Sequence, residues 1–320
     1  MPGKAADSAV ITVPSKSMRQ NRKWALVAAY FFLFVFIIFF MFPPYYMIIT
    51  SFKTDAEISS VETIPFLIQE GVTLEHYEKL LFETRFPTFF LNTTIVTVLV
   101  VIISISISVL AAYSLTRLRF FGSGLLATGI FLTYLVPNSL LFIPLFKVFG
   151  NLCMGSRAFA EYFSEKFFSL GGFEICLLDS KWVLLAVFPT LAVPFCTWMM
   201  IGYFSTIPKE LDEAAFIDGA GHLQMLFRIF IPVAAPGIIA ATIFAFTVSW
   251  AGFLYPSAFI YQHDEMILTV GTVTSLIIGD VYHWGSLMGG ALLAAAPPVI
   301  IYAFLMDYYV SGLTSGATKG

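Results

Sequence analysis

The sequence predicts an all-α membrane protein with six transmembrane helices, and three observations carry that reading. The first is composition. Of 320 residues, 58% are hydrophobic and 12% charged, with 17% aromatics, 35 Phe and a mean hydropathy of +0.86. Soluble domains carry about 25% charged residues, so lipid is the expected solvent for most of this surface. The second is the spacing of charge. No Asp, Glu, Lys or Arg occurs in segments 24–50, 86–116, 120–146, 182–208, 229–263 or 281–306. Each is longer than the roughly 20 residues that cross a bilayer core. The third is where the bases lie. With the N-terminus inside, the inner segments 1–23, 117–122, 206–228 and the tail after 307 hold ten of the 17 Lys and Arg. That bias places both termini in the cytoplasm. Of the 20 acids, 14 fall outside, although acids weigh little on topology.

In chain order, Arg19, Arg22 and Lys23 precede an apolar run too long for a signal peptide and without a small-x-small cleavage site. It reads as an uncleaved first helix after a cytoplasmic segment, 1–23. The first outer segment, 51–85, contains "TLEHYEKLL". The spacing of Leu74, Tyr77, Leu80 and Leu81 predicts a short amphipathic helix on the outer face. Arg117 and Arg119 mark a tiny inner loop. The second outer segment, 147–181, carries Cys153 and Cys176, which form a disulfide or remain two free thiols. The apolar stretch 266–279 is too short to span and reads as an interfacial or re-entrant piece, or as an ordinary loop.

Several chemistries are absent. There is no phosphate-cradling G-x-x-x-x-G-K-[ST], no H-E-x-x-H and no Cys-x-x-Cys, and nothing points to nucleic acid. His76, His222, His263 and His283 are scattered, so no metal site is expected. No charged residue lies near the middle of a span, which argues against a proton relay or a voltage sensor. Sodium coupling through backbone carbonyls stays open. Asn92, Thr93, Thr94, Ser104, Ser106, Ser108, Asn138, Thr197, Thr247 and Ser249 are polar and within spans. They join helices by hydrogen bonds or line a path for a polar solute.

The inner loop 206–231 is the most polar helix-capable stretch between spans. Pro208 suits a first helical turn, and Glu210, Asp212 and Glu213 complement the positive end of a helix. Gly219 and Gly221 break the pattern. A second helical stretch, 222–231, leads to Pro232 and the fifth span. The small residues Ala214, Ala215, Gly219 and Ala220 allow a partner to sit close, or the loop helix packs on its own protein.

The run "EAAFIDGAGHLQMLFRIFIP", 213–232, resembles the EAA motif of ABC importer permeases: E-A-A, three residues, Gly, nine residues, then I-x-L-P. Glu213, Ala214, Ala215, Gly219, Ile229 and Pro232 fall in register, and Ile231 replaces the usual Leu. "TSFKTDAEI", "NTTIVTVLV", "AAYSLTRLRFFG", "LVPNSLLFIPLF" and "WAGFLYPSAFI" resemble the sugar-type, maltose permease-like subfamily, as does the C-terminal "SGLTSGATKG". Segment 151–181 departs from the pattern and reads as an outer-face insertion.

The resemblance implies the type I ABC importer permease fold. It assigns a permease domain to 24–310 and a cytoplasmic tail to 311–320. It further implies a second permease subunit, two ATPase subunits and an extracytoplasmic solute-binding protein, in the inner membrane of a prokaryote. The chain itself is then not an enzyme and holds no cofactor, and ATP and Mg are bound by the ATPase. Glu213, Ala214, Ala215, Asp218, Gly219, Ile229 and Pro232 are expected to form a coupling helix and its bend against that ATPase. Gly316 and Lys319 are expected to contact it from the tail. Asn92, Asn138, Trp250 and Tyr255 are candidates for the substrate path. In "GSLMG", Gly285 and Gly289 are expected to serve close helix packing. The implied function is import of an oligo- or disaccharide. Import of glycerol phosphate or a polyol is the alternative, and a membrane scaffold or channel without an ATPase is a more distant one.

Overall fold

The computed structural model describes residues 16–118, 120–151, 178–279 and 281–317. Four helices in it are long and apolar enough to cross a membrane, and two bent pairs bring the number to six if each pair is one span. The first, α1 (Lys16–Phe52), is apolar all round from Trp24 to Thr50, and Leu26 through Phe42 are exposed along it. From Lys23 on, its side chains are buried only in the last turns, around Ile49–Ser51. An apolar face that large and uncovered fits a lipid or protein surrounding and not water.

Three helices form the centre. α4 (Phe86–Arg117), α7 (Leu184–Thr206) and α11 (Ala235–Trp250) pack on one another, and α14 (Trp284–Ala317) closes against α11 and α1. Two apolar clusters hold this centre, one at each end. Phe86, Phe89, Val187, Phe188, Trp250 and Phe259 belong to the first. Tyr113, Met200, Phe204, Ala215, Leu226 and Phe230 belong to the second. Polar links join the helices between them. Ser249 Oγ donates to Thr97 Oγ1 over 3.2 Å, and Cys196 Sγ lies 3.5 Å from the Ala241 carbonyl. Helices in lipid associate through such contacts and through small residues.

The third and fifth spans are broken. α5 (Ser123–Tyr134) and α6 (Asn138–Asn151) meet at 99°. Pro137 explains the break: it has no N–H to donate, and its ring disfavours a helical residue before it. The fifth span begins at the polar loop as α9 (His222–Met225), a π-helical turn over Leu226–Phe230, and α10 (Ile231–Val233). It then turns 80° into α11 at Ala234, two residues before Pro236. Gly237 lets the elbow close, since a Cβ there would lie 2.4 Å from the Tyr203 ring.

At the far end from that loop, α2 (Asp55–Ser59) and α3 (Glu75–Glu78) precede a π-helical turn at Lys79–Glu83. The helix expected from "TLEHYEKLL" exists, but its inward face differs. Leu80 is buried, whereas Leu74 and Leu81 are exposed and His76 takes the inner position. A Cβ on Gly285 of α14 would fall 2.1 Å from the His76 ring, and one on Gly289 would sit 3.3 Å from Tyr77. Both glycines thus permit close helix packing. Stretch 266–279 is not a plain loop. It folds as helix α13 (Leu268–Leu276), buried at Leu268, Val270, Gly271 and Leu276, which packs on α4 and α14 and runs into a hairpin of β1 (Ile277–Ile278) and β2 (Val281–Tyr282). α12 (Leu254–Phe259) links α11 to this region.

Candidate functional site

The polar loop folds as expected from its sequence. α8 (Glu210–Ile217) carries Glu210, Asp212 and Glu213 in its first turn, where the helix dipole favours them. The helix ends at Asp218, and Gly219 follows with φ +77, a left-handed value that favours glycine. The Gly219 N–H donates to the Phe216 carbonyl and that of Ala220 to the Ala215 carbonyl, which closes the turn. Gln224 Oε1 accepts the Gly221 N–H and starts α9.

The two faces of α8 differ. Ala215 is buried against the chain's own core, so this small residue serves internal packing and not an outside partner. Glu213, Ala214 and Asp218 are exposed. Around them Leu211, Phe216, Ile217 and Leu223 present apolar side chains to the outside, with Ile217 87% exposed. Ile229 is half-buried at the edge of the second cluster, and Pro232 is exposed in the elbow. An acidic rim around exposed apolar residues on a short, well-held helix has the make-up of a protein-docking surface.

Beside this packing, one buried charge ties the loop to the body, and the sequence showed it only as a topology marker. Arg117, the last residue of α4, donates through Nη2 to the carbonyls of Phe204 (2.9 Å) and Ile207 (2.7 Å) at the end of α7. Its Nη1 lies 3.1 Å from Asp212 Oδ2 of α8, and its guanidinium stacks 4.7 Å from the Phe230 ring centroid. Its side chain is 7% exposed. One turn back, the Tyr113 hydroxyl lies 3.3 Å from His222 Nδ1, and its ring meets Phe230 edge-on. Only contacts among elements far apart in the chain reveal this arrangement; no local spacing would have found it. Arg119 lies outside the described residues.

The substrate-path candidates do not converge. Asn92 Nδ2 donates to the Asp264 and Met266 carbonyls at 2.8 and 3.0 Å. Trp250 Nε1 donates to the Ala294 carbonyl, and the Tyr255 hydroxyl to the Asn138 carbonyl. Asn92, Trp250 and Tyr255 are buried, and their polar groups are satisfied by backbone, so they pack helices and loops in this conformation. Asn138 exposes its side chain where the third span breaks. None of the four lines the cavity of about 480 Å³ between α7, α11 and α14. That space is bounded by Phe195, Met199, Phe244, Thr247, Tyr302 and Met306. Thr247 and Tyr302 hydrogen-bond to each other, and Phe195 packs on Phe244 and on Tyr134 of the broken third span.

In the tail, the backbone stays helical through Gly316 to Ala317, and Lys319 lies outside the described residues. So do Cys153 and Cys176, together with residues 152–177 of the insertion. The insertion's exit and return are described and adjacent, since a Cβ on Gly150 would meet Leu178 at 3.8 Å. The returning chain is tied down firmly. Asp179 Oδ1 accepts the N–H groups of Tyr261 and Gln262, and Glu265 accepts from Ser180 Oγ and from both Lys181 nitrogens. Glu265 is held below the usual carboxylate range: burial pushes it up, but the Lys181 and Ser180 hydrogen bonds and the Lys181 charge outweigh that.

Residues 104–315 match the family described as "Binding-protein-dependent transport system inner membrane component". The chain is 33% identical over 302 residues to the inner membrane ABC transporter permease protein YcjP of Escherichia coli (strain K12), covering 94% of this chain and 99% of that one. It is 30% identical to the trehalose/maltose transport system permease protein MalG of Thermococcus litoralis, over 88% of this chain and 92% of that protein. Among solved structures it resembles a chain of a bacterial ABC transporter involved in the import of the acidic polysaccharide alginate. There the TM-score is 0.73 at 22% identity, over 93% of this chain and 99% of the other.

Proposed function

The chain belongs to the family of binding-protein-dependent transport inner membrane components, and from that premise we propose how it works and what it carries. It is a multi-pass inner-membrane permease subunit of an ABC importer. We propose that its solute is an oligo- or disaccharide, delivered by an extracytoplasmic binding protein. Named relatives support that class: a trehalose/maltose permease at 30% identity and a diacetylchitobiose uptake permease at 28%. The aromatic lining of the α7–α11–α14 cavity, from Phe195, Phe244 and Tyr302, suits the apolar faces of sugar rings.

The coupling role rests on one observation. α8 is fixed to the body on one side and presents Leu211, Phe216, Ile217 and Glu213 on the other. On this reading the α8 end is cytoplasmic, both termini lie on that side, and the exposed face docks on an ATPase that binds ATP and Mg. Two ATPases and a second permease complete the importer. Closure of the ATPase pair would move α8 and switch the packed helices between two arrangements.

Co-expression with the ATPase and the partner permease, then purification in mild detergent, tests the assembly. Reconstitution with the binding protein tests the solute. ATP hydrolysis is expected to rise with maltose, trehalose, diacetylchitobiose or alginate oligosaccharides, and charge reversal at Glu213 is expected to abolish uptake. Stimulation by glycerol phosphate alone would replace the solute class. Consistent failure of any ATPase to co-purify would leave a scaffold or channel instead.

A further inference from the structure

We propose that Arg117 is the joint that makes α8, the end of α4, the end of α7 and the fifth-span elbow move as one body. The inference rests on the importer reading above and names the positioning residue behind it. Geometry carries it. Loop helices joined by glycine turns are free to shift alone, and α8 is bounded by Gly219 at φ +77. Arg117 removes that freedom, because one buried guanidinium on α4 meets three other elements at once.

Each contact needs a different property of the side chain. The Phe204 and Ile207 carbonyls end α7, where the helix dipole attracts a cation; the Phe204 carbonyl accepts the Ile207 N–H as well as Arg117 Nη2. Asp212 supplies an opposite charge from α8. The Phe230 ring supplies a π-face from the elbow. A planar group with five donors satisfies all of these together; a lysine ammonium, a compact point charge, does not. Arg117 Nε and Asp212 Oδ1 are buried without a hydrogen-bond partner among the described residues. Removing either residue therefore leaves a buried charge with even less compensation.

Spin labels test the joint without needing the transported solute. Glu210 on α8 and Leu110 on α4 are both exposed. Nitroxides on Glu210→Cys and Leu110→Cys report their separation in the complex with its ATPase in nanodiscs, with and without vanadate-trapped ATP. With Arg117 and Asp212 intact, one narrow distance is expected in both states. In Arg117→Gln and in Asp212→Asn, the trapped state is expected to broaden and shift by up to a helical turn, ~5 Å, with the ATPase still bound. An unchanged narrow distance in both variants overturns the proposal, as does a distance that changes between states with Arg117 and Asp212 intact. Failure of the unsubstituted chain to hold an ATPase is a different result and overturns the importer reading.

Discussion

Asn92 joins α4 to the loop before α13 by donating to two carbonyls, those of Asp264 and Met266. Its neighbour Thr93 accepts the Leu268 N–H at the start of α13. A polar residue in a span is thus spoken for by backbone that would otherwise be left unpaired. Asn92→Ala is expected to cost roughly 1–3 kcal/mol. It should lower the melting temperature in detergent and leave the preference among oligosaccharides unchanged. Altered preference at unchanged stability would return Asn92 to the solute path. Gly219 differs, because nothing lies within 4 Å of a Cβ there and only the backbone angle is at stake. Valine at φ +77 is strained by about 1–2 kcal/mol, whereas asparagine tolerates that region. Gly219→Val is therefore expected to cut uptake per ATP hydrolysed about tenfold, and Gly219→Asn to stay near the unsubstituted protein. Equal loss in both would point to a contact of the glycine itself.

The far-end segment between α1 and α3 is an element organised around one buried pair. Lys53 Nζ lies 3.0 Å from Glu57 Oε1, with side chains 4% and 0% exposed. Lys53 also donates to the Ile64 carbonyl, and Glu57 accepts the Gln69 and Glu70 N–H groups. Four charged or backbone partners thereby pin residues 53–70, of which 55–59 alone are helical. Burial pushes the Glu57 carboxyl up, but the Gln69, Lys53 and Glu70 hydrogen bonds and the Lys53 charge hold it below its ordinary value of 4.5. A depressed carboxylate stabilises the fold above its unfolded pKa, and that contribution is lost as pH falls through the folded value. Protection of the Gln69 and Glu70 N–H groups, taken relative to the intrinsic exchange rate at each pH, should therefore be high near neutrality and fall below about pH 4.5. Glu57→Gln should show low protection there at all pH values. High protection in that variant would show that the carboxylate is not what holds the segment. Sequence pattern gave no warning of this pair, because Lys53 and Glu57 look like ordinary solvated loop charges.

At the scale of the whole molecule, two apolar clusters at opposite ends of α4, α7 and α11 make one packed body. The long exposed face of α1 lies outside it. That division fits a subunit whose packed part switches between states and whose first helix meets lipid or a neighbour. The sequence by itself determined how many apolar spans there are and where they lie, because charge is costly in lipid and its absence is visible in one dimension. It also determined the acidic start, glycine break and proline exit of the α8 loop, since capping, left-handed turns and proline act over a few residues. Tertiary structure alone decided the rest. It bent the third and fifth spans by 99° and 80°, although Pro137 and Pro236 were plain to see, because proline permits a bend and neighbouring helices set its size. It turned Ala215 inward and left Phe216 and Ile217 outside. It gave Asn92, Trp250 and Tyr255 backbone partners more than 40 residues away. Above all it converted Arg117 from a loop charge into a buried joint, because its carbonyl, carboxylate and aromatic partners lie 87 to 113 positions along the chain and meet only on folding.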